Sequence, residues 1–193
     1  MFEGLDDLTV IPTPKQRDVY LYDGVDHSSV GQIVVNIQAI EKHDQHIKKV
    51  MSIYGMEYVP KPIVLHISSY GGSVPDGFGL ISVMNKSTTP VDTVVEGYAM
   101  SMALVIASQG RHRRCHSLST YMLHQMVVEF EGKMKDMSED MEENERVENL
   151  LFDILMKRTK ITNKQISKNK KSKKDWYITP KEALKLGIVD EII

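Results

Sequence analysis

The sequence predicts an α/β fold of layered, mainly parallel sheets with flanking helices. Short apolar runs of strand length alternate with longer stretches whose apolar residues recur at helical spacing. Glycine, proline and capping residues stand at most of the boundaries between these stretches. The order strand, helix, strand, helix favours parallel pairing, because each helix carries the chain back to the start of the next strand.

The first half of the chain is predicted to contain three strands, two helices and a loop. Residues 1–17, with two prolines and mixed charge, are predicted to be irregular. A capping-box pattern, Ser29 with Gln32 three residues later, starts a helix that runs to about Met51. Pro75 suits the first turn of the second helix. The predicted strands are Val19–Tyr22, Ile63–Ile67 and Val91–Val95, and the predicted loop is Tyr54–Lys61.

The second half is predicted to be mainly helical. A helix over Ser101–Ser108 is expected to end at a Gly110 cap, and Lys133–Arg158 reads as one long helix. The Thr179-Pro180-x-Glu182 pattern starts a last helix. The other predicted elements are strands at Thr120–His124 and Ile188–Ile192 and a short helix opening at Thr162. The apolar stripe of the long helix is Met134, Met137, Met141, Val147, Leu150, Leu151, Ile154 and Leu155.

Composition excludes several classes of protein. The net charge of −2 gives no overall basis for binding nucleic acid or an anionic membrane. The single cysteine, Cys115, excludes an internal disulfide framework and fits a reducing compartment. The acidic N-terminus lacks the apolar core of a signal peptide, and the longest apolar runs are far shorter than a membrane span. We therefore expect one domain over residues 1–193 and a cytoplasmic location.

Two charged stretches suggest binding but have simpler explanations. Lys157–Lys174 carries nine Lys and Arg residues and no acid, but a solvated basic face that offsets the acidic Glu129–Glu148 is favoured over a nucleic-acid site. His43 and His46, with Asp44, resemble metal ligands at i, i+3, but no further acidic or cysteine partner is placed to complete a site. Neither a metal nor a cofactor is expected.

One serine stands at the end of an apolar run, in G-Y-A-M-S-M-A at Gly97–Ala103. A serine hydroxyl is a poor nucleophile unless a base is positioned beside it. At a helix N-terminus the free N–H groups favour developing negative charge, so the Met102 N–H could donate to an oxyanion. Taken alone, Ser101 is more simply interpreted as the N-cap of the next helix.

Two further fragments give this serine a context. Gly71-Gly72 follows a predicted strand, and its amides could bind an oxyanion or pair with an extended peptide, although alone it indicates a tight turn. His124 closes another predicted strand and could present a ring nitrogen to Ser101. A nucleophile, bare backbone amides and a histidine are the parts of an acyl-transfer site.

The acid that would orient the histidine cannot be selected by spacing, because the chain has 26 Asp and Glu residues. Asp175 is a candidate, since it precedes Trp176-Tyr177-Ile178, where the chain is expected to re-enter the core. The alternative is a solvated aspartate paired with Lys173 or Lys174.

Five blocks, in order, resemble the ClpP family, the proteolytic subunits of Clp proteases, which are serine peptidases of crotonase-like fold. The resemblance runs from about Val19 to Ile193. It implies that Ser101 is the nucleophile, His124 the general base and Asp175 the orienting acid. The blocks are Val19–Gly24, Ile63–Val74, Gly97–Ala103, Tyr121–Gln125 and Asp175–Asp190. The implied oxyanion-hole amides are those of Gly72 and Met102, and the implied substrate contacts are Gly71, Val74, Gln125 and Val127.

The resemblance also implies an assembly. Lys133–Arg158 would be a protruding handle helix by which two heptameric rings interlock into a tetradecamer. Unfolded polypeptide would be the substrate, and an AAA+ unfoldase partner would use the ATP, so that the peptidase itself needs no cofactor. The chain departs from the family pattern at Tyr70, Ala103 and Met126, and Val64 and His66 replace aromatic residues of the ATPase-docking pocket.

Two other functions fit parts of the same pattern. The chain could be a structural or regulatory subunit that keeps the fold but turns over little, because residues beside the site are changed. It could also be a crotonase-fold enzyme acting on acyl-CoA, whose thioester oxyanion paired amides would hold. The placement of a serine with a histidine favours the peptidase.

Overall fold

The strands of the described residues join in one seven-stranded sheet. The computed structural model describes residues 16–125, 134–172 and 174–193, except for the side chains of 134–140. Val127, Lys133 and nearly all of the predicted irregular segment 1–17 lie outside this part. The strands are β1 Asp18–Leu21, β2 Ile63–Ser69, β3 Val91–Met100, β4 Arg113–Cys115, β5 Thr120–Leu123, β6 Trp176–Ile178 and β7 Glu191–Ile192.

The sheet branches at β3. Its main row has the order β1-β2-β3-β4-β7, and every pair in that row is parallel. The first half of β3 pairs with β4 through Thr93–Val95, whereas Tyr98–Met100 pairs with β5. Strand β6 then adds to β5 in the antiparallel sense. The branch matters for function, because it brings the end of β5 beside the end of β3.

Helices pack against this sheet and bury its apolar side chains. Along β2, Ile63, Leu65 and Ile67 are completely buried. The short helix that follows β3 is buried at all six positions and lies at the centre of the core. The helices are α1 His27–Ile53, α2 Val74–Lys86, α3 Met102–Ala107, α4 Met134–Arg158, α5 Asn163–Ser172 and α6 Pro180–Lys185. No helix in the described ranges is long and apolar enough to cross a membrane.

The predicted fold class, α/β with mainly parallel strands and flanking helices, is confirmed. Two predicted caps were wrong. Helix α1 begins after Asp26, whose carboxylate accepts the N–H groups of Ser28 and Ser29, so Ser29 is the last residue of the capping box and not its first. Helix α3 ends at Ser108, and Gly110 instead allows close packing, because a Cβ there would lie 2.3 Å from Thr93 Oγ1.

The sequence missed β4 and β6, which have three residues each and no clear alternation. Among the described side chains of the apolar stripe predicted for α4, Leu151 and Leu155 are buried, whereas Met141 is 59% exposed and Leu150 is also exposed. Most of residues 141–150 are exposed in the part of the chain that the structure describes.

A buried carboxylate ties the long helix α1 to the chain around it. Asp44 is 3% exposed and accepts two hydrogen bonds from the Arg17 guanidinium, at 3.0 and 2.5 Å. Thr89 and Tyr58 donate to the same carboxylate at 2.7 and 2.8 Å. Burial alone would raise the pKa of Asp44, but these hydrogen bonds outweigh it and hold the pKa below its usual value.

This network also removes Asp44 from the metal-ligand pattern with His43 and His46. Within the described residues there is no group of three or more His, Cys, Asp and Glu side chains that could hold a metal ion.

Replacing Asp44 by asparagine is expected to lower the free energy of unfolding by about 3 kcal/mol, because the Arg17 guanidinium loses its counter-ion. Urea denaturation at pH 7 measures the change. The same substitution at the exposed Asp23 is a matched control, expected to change stability by less than about 0.5 kcal/mol.

The loss of stability caused by Asp44→Asn should depend on pH. Since folding lowers the pKa of Asp44, its contribution is fully present above the unfolded value of about 4 and is lost as the pH falls through the lower folded value. The difference in free energy of unfolding between wild type and Asp44→Asn should therefore become smaller as the pH is lowered. A gap that stays constant down to pH 3 would contradict this account.

Candidate active site

Ser101 occupies a sharp turn between β3 and α3. Its φ of 53° and ψ of −124° make it the only non-glycine residue with positive φ in the described part of the chain. Such a conformation costs about 1–3 kcal/mol and persists only where the surrounding structure imposes it. Its side chain makes no capping hydrogen bond to α3. Ser101 therefore stands at the N-cap position of α3, as the simpler interpretation has it, but its side chain does not act as the cap.

Neighbouring elements hold this turn in place. The Ser101 N–H donates to the carbonyl oxygen of Met122 in β5, at 2.8 Å. The next side chain, Met102, is completely buried against Gly77 of α2, where an added Cβ would lie 2.4 Å from Met102 Cε. The Met102 N–H lies in the first turn of α3, where backbone donors have no partner within the helix.

The two glycines between β2 and α2 have different tasks. Gly71 packs on the Ser101 turn: an added Cβ would lie 2.6 Å from the Met100 carbonyl oxygen and 2.9 Å from Ser101 Cβ. Its N–H donates to Ser69 Oγ at 3.2 Å, and its carbonyl accepts the N–H of Val25 at 2.8 Å. Both polar groups of Gly71 are thus used inside the protein.

Gly72 presents its N–H outward. It forms a parallel bridge with Val25, whose carbonyl accepts the N–H of Ser73 at 2.7 Å. In a parallel ladder the residue between two such bonds directs its own N–H and C=O away from that partner. Gly72 is exposed, so its N–H faces away from Val25 on the accessible side of the chain.

The structure brings Ser101 and His124 to one cavity. Both residues line a space of about 20 Å³, together with the predicted substrate residue Val74 and with Leu123. No hydrogen bond joins the Ser101 hydroxyl to His124 among the residues described. Gln125 follows His124 and is half-buried, and the predicted contact at Val127 lies outside the described residues.

Strand pairing leads toward Asp175, but no hydrogen bond or ion pair joins it to His124 among the described residues, and Asp175 lines a separate cavity with Trp176. In the antiparallel pair of β5 and β6, Leu123 is the partner of Trp176. Continuing this register by one residue puts His124 opposite Asp175, and opposed residues in such a pair have Cβ atoms about 5 Å apart. Asp175 is exposed and forms no ion pair with Lys174 within the described residues, while Lys173 lies outside them.

Sequence reasoning missed one residue of this cavity. Glu148 of α4 lines it together with Leu151 and Phe152, although the sequence placed Glu148 at the end of a solvated acidic stretch. The signal was its spacing: residues three and four positions apart share one face of a helix, and here that face is buried at Leu151 and Phe152.

Comparison with known proteins identifies the family of this chain. The family model described as Clp protease matches residues 14–193. The chain belongs to the Clp protease family. It is 30% identical over 183 residues to the ATP-dependent Clp protease proteolytic subunit of Streptococcus mutans, covering 93% of this chain and 85% of that protein. It is 30% identical over 133 residues to the subunit of the same name from Deinococcus radiodurans, covering 68% and 64%.

The resemblance inferred from the five sequence blocks is thus confirmed. The family to which this chain belongs is a family of serine peptidases. Two departures from the Clp pattern can be located. Tyr70 replaces a proline at the surface, where its ring packs on Tyr98 with 4.3 Å between the ring centroids. Ala103 replaces a glycine and is completely buried in α3. Met126 lies outside the described residues.

Replacing Gly71 by alanine should slow the reaction of Ser101 with a fluorophosphonate probe by about 100-fold, because the new Cβ collides with the turn and shifts the nucleophile. Labelling rates measured by mass spectrometry test this. Gly79→Ala in α2 is the matched control, because an added Cβ there meets nothing within 4 Å. Labelling of Gly71→Ala at the wild-type rate would show that the contact does not position Ser101.

Proposed function

We propose that this chain is the proteolytic subunit of a Clp-type protease, a serine endopeptidase that hydrolyses extended, unfolded polypeptide. The observation that carries the proposal is the strained turn at Ser101, whose hydroxyl caps nothing and lines the same cavity as His124. A helix start that needed only a cap would not hold a serine at positive φ, so the strain indicates a functional side chain.

The chemistry follows from the positions of these groups. His124 takes the proton of the Ser101 hydroxyl as the oxygen attacks the scissile carbonyl carbon. The resulting oxyanion accepts the N–H groups of Gly72 and Met102. Collapse of this tetrahedral intermediate breaks the scissile C–N bond, and His124 gives its proton to the leaving amine. Water, deprotonated by His124, then attacks the acyl-enzyme, and the proton returns to Ser101 as the acid product leaves.

Asp175 supports this cycle from the neighbouring strand. A carboxylate opposite His124 would accept the N–H of the ring nitrogen remote from Ser101 and so fix the tautomer in which the other nitrogen can act as a base. No step needs a metal or a cofactor. An extended substrate would lie along the accessible backbone at Gly72, with its next side chains toward Val74 and Gln125.

Assembly into rings would complete the protease. The described residues leave the apolar side chains of Met141 and Leu150 on α4 exposed, and contact with a second copy would bury them. We therefore infer that α4 is the handle helix of two stacked heptameric rings, which enclose the sites. A cytoplasmic location stays a prediction.

An ATP-dependent unfoldase is the proposed partner, but its docking surface differs here. His66 lies between two carboxylates, with Nδ1 2.8 Å from Glu96 and Nε2 3.1 Å from Asp18. Tyr22 donates to the same Glu96, and this hydrogen bond is the main reason that the pKa of Tyr22 rises to about 12. An unfoldase would meet His66 and its two carboxylates beside the exposed rings of Tyr20 and Tyr22.

Ser101→Ala is expected to abolish both probe labelling and peptide hydrolysis, because no other group can form the acyl-enzyme. Both are measured on purified protein whose assembly has been checked by sedimentation. Ser82→Ala, an exposed serine of α2, is the control and should leave both unchanged. Assembled wild-type protein that neither labels nor hydrolyses peptide would instead support a structural or regulatory subunit.

Asp175→Asn is expected to lower kcat by about 10³- to 10⁴-fold, because the amide favours the wrong tautomer of His124. Hydrolysis of a fluorogenic peptide measures the loss. Asp153→Asn, at an exposed position of α4, should leave kcat within about twofold of wild type. If the two variants behaved alike, Asp175 would not be the orienting acid.

A further inference from the structure

Helix α5 exposes a row of lysines that the acyl-transfer steps do not use. Lys164, Lys168 and Lys171 are exposed, and their spacing of four and three residues puts them on one side of the helix. We call these three residues the lysine face. Helix α5 contains no acid, and no ion pair joins the lysine face to a carboxylate among the described residues.

The exposed part of α4 is acidic. Between residues 141 and 150 the exposed carboxylates are those of Glu142, Glu143 and Glu145, and Arg146 is the only cation. Arg146 is used by Glu143, with Nη2 2.6 Å from Oε1. Glu142 and Glu145, which we call the acidic pair, share one side of α4 and form no ion pair in the described part of the chain.

The acidic pair continues the side of α4 on which α5 of the same chain packs. Asn149, Phe152 and Met156 of α4 line a cavity of about 420 Å³ together with residues of α5. The acidic pair stands seven residues before Asn149 and Phe152, and seven residues are close to two helical turns. The side of α4 that receives an α5 near its C-terminal end therefore extends toward the N-terminus as an acidic surface.

Helix α5 of the same chain does not reach this surface. Lys170, near the end of α5, pairs with Glu148, with 2.6 Å between Nζ and Oε2. Glu142 lies six residues, or about 9 Å, farther along α4. The pair of Lys170 and Glu148 also shows the chemistry by which the two helices attract each other, since a lysine of α5 already binds a carboxylate of α4.

Resting on the assembly proposed above, we infer that the lysine face of α5 binds the acidic pair of α4 in a second copy of the chain. Because each copy carries both surfaces, two copies related by a two-fold axis form this contact twice. Opposite charges fix the register of the two helices and make their contact sensitive to salt. Helix α5, to which the resemblance gives no role, thereby becomes part of the assembly.

The two surfaces match in size as well as in charge. Residues 141–150 of α4 and helix α5 have ten residues each, which is about 15 Å of helix. Met141 is exposed four residues before Glu145 on the same side of α4, and the aliphatic stems of lysines can cover such a side chain. A second copy is favoured over a nucleic acid, because the net charge of −2 on the chain repels a polyanion.

Charge reversal tests the contact. Glu142→Lys with Glu145→Lys, or Lys164→Glu with Lys168→Glu, should raise the concentration at which half of the full-length chains are assembled by at least about tenfold, because like charges then face each other. The variant with all four changes restores opposite charges and should assemble within about threefold of wild type. Sedimentation velocity measures the assembly. Rescue in the fourfold variant also excludes misfolding as the cause of the first two results.

The control is Glu57→Lys with Lys86→Glu, which changes exposed charges elsewhere and should assemble like wild type. Assembly that neither double reversal weakens, or that the fourfold variant does not recover, would overturn this inference alone. Binding of a DNA duplex that is lost only in the lysine reversals, with assembly unchanged, would assign the lysine face to nucleic acid instead. Wild-type protein that stays monomeric would overturn the proposed assembly and this inference with it, whereas fluorophosphonate labelling of Ser101 tests the peptidase separately.

Discussion

The packing of Gly71 against the turn at Ser101 is the constraint on which the candidate site depends. It brings the ends of β2 and β3 so close that no side chain fits between them. The N–H and carbonyl of Gly71 are hydrogen-bonded to Ser69 and Val25, and the next residue, Gly72, directs its N–H outward. The nucleophile and its proposed oxyanion donor are thus placed by a single backbone contact.

Much of the fold could be predicted because its signals are local. Helix α6 begins at the predicted capping box of Thr179 and Glu182, and β2 shows its buried face in the alternation of Ile63, Leu65 and Ile67. The missed strands β4 and β6 have three residues each and exist through pairing with distant partners. The exposure of Met141 likewise depends on which parts of the chain pack against α4, which helical periodicity does not report.

Some features of the candidate site could likewise be predicted from the sequence, and others could not. Ser101, Gly72 and His124 follow strands, where parallel topology brings chain ends together, so a sequence pattern could select them. The strain at Ser101 could not be foreseen, since it arises from packing between β2, β3 and β5. Glu148 was missed because it reaches the cavity from a helix remote in sequence, and its neighbours along the chain are solvated acids.

Strand β5 has only four residues but positions several parts of the candidate site. Its Met122 carbonyl accepts the N–H of Ser101, its end bears His124, and its far side pairs with β6, which leads to Asp175. Detachment of this short strand from β3 would displace the proposed base and the proposed acid together and release the backbone of Ser101. The fraction of molecules able to react is then governed by one local opening equilibrium and not by three independent side-chain rotations.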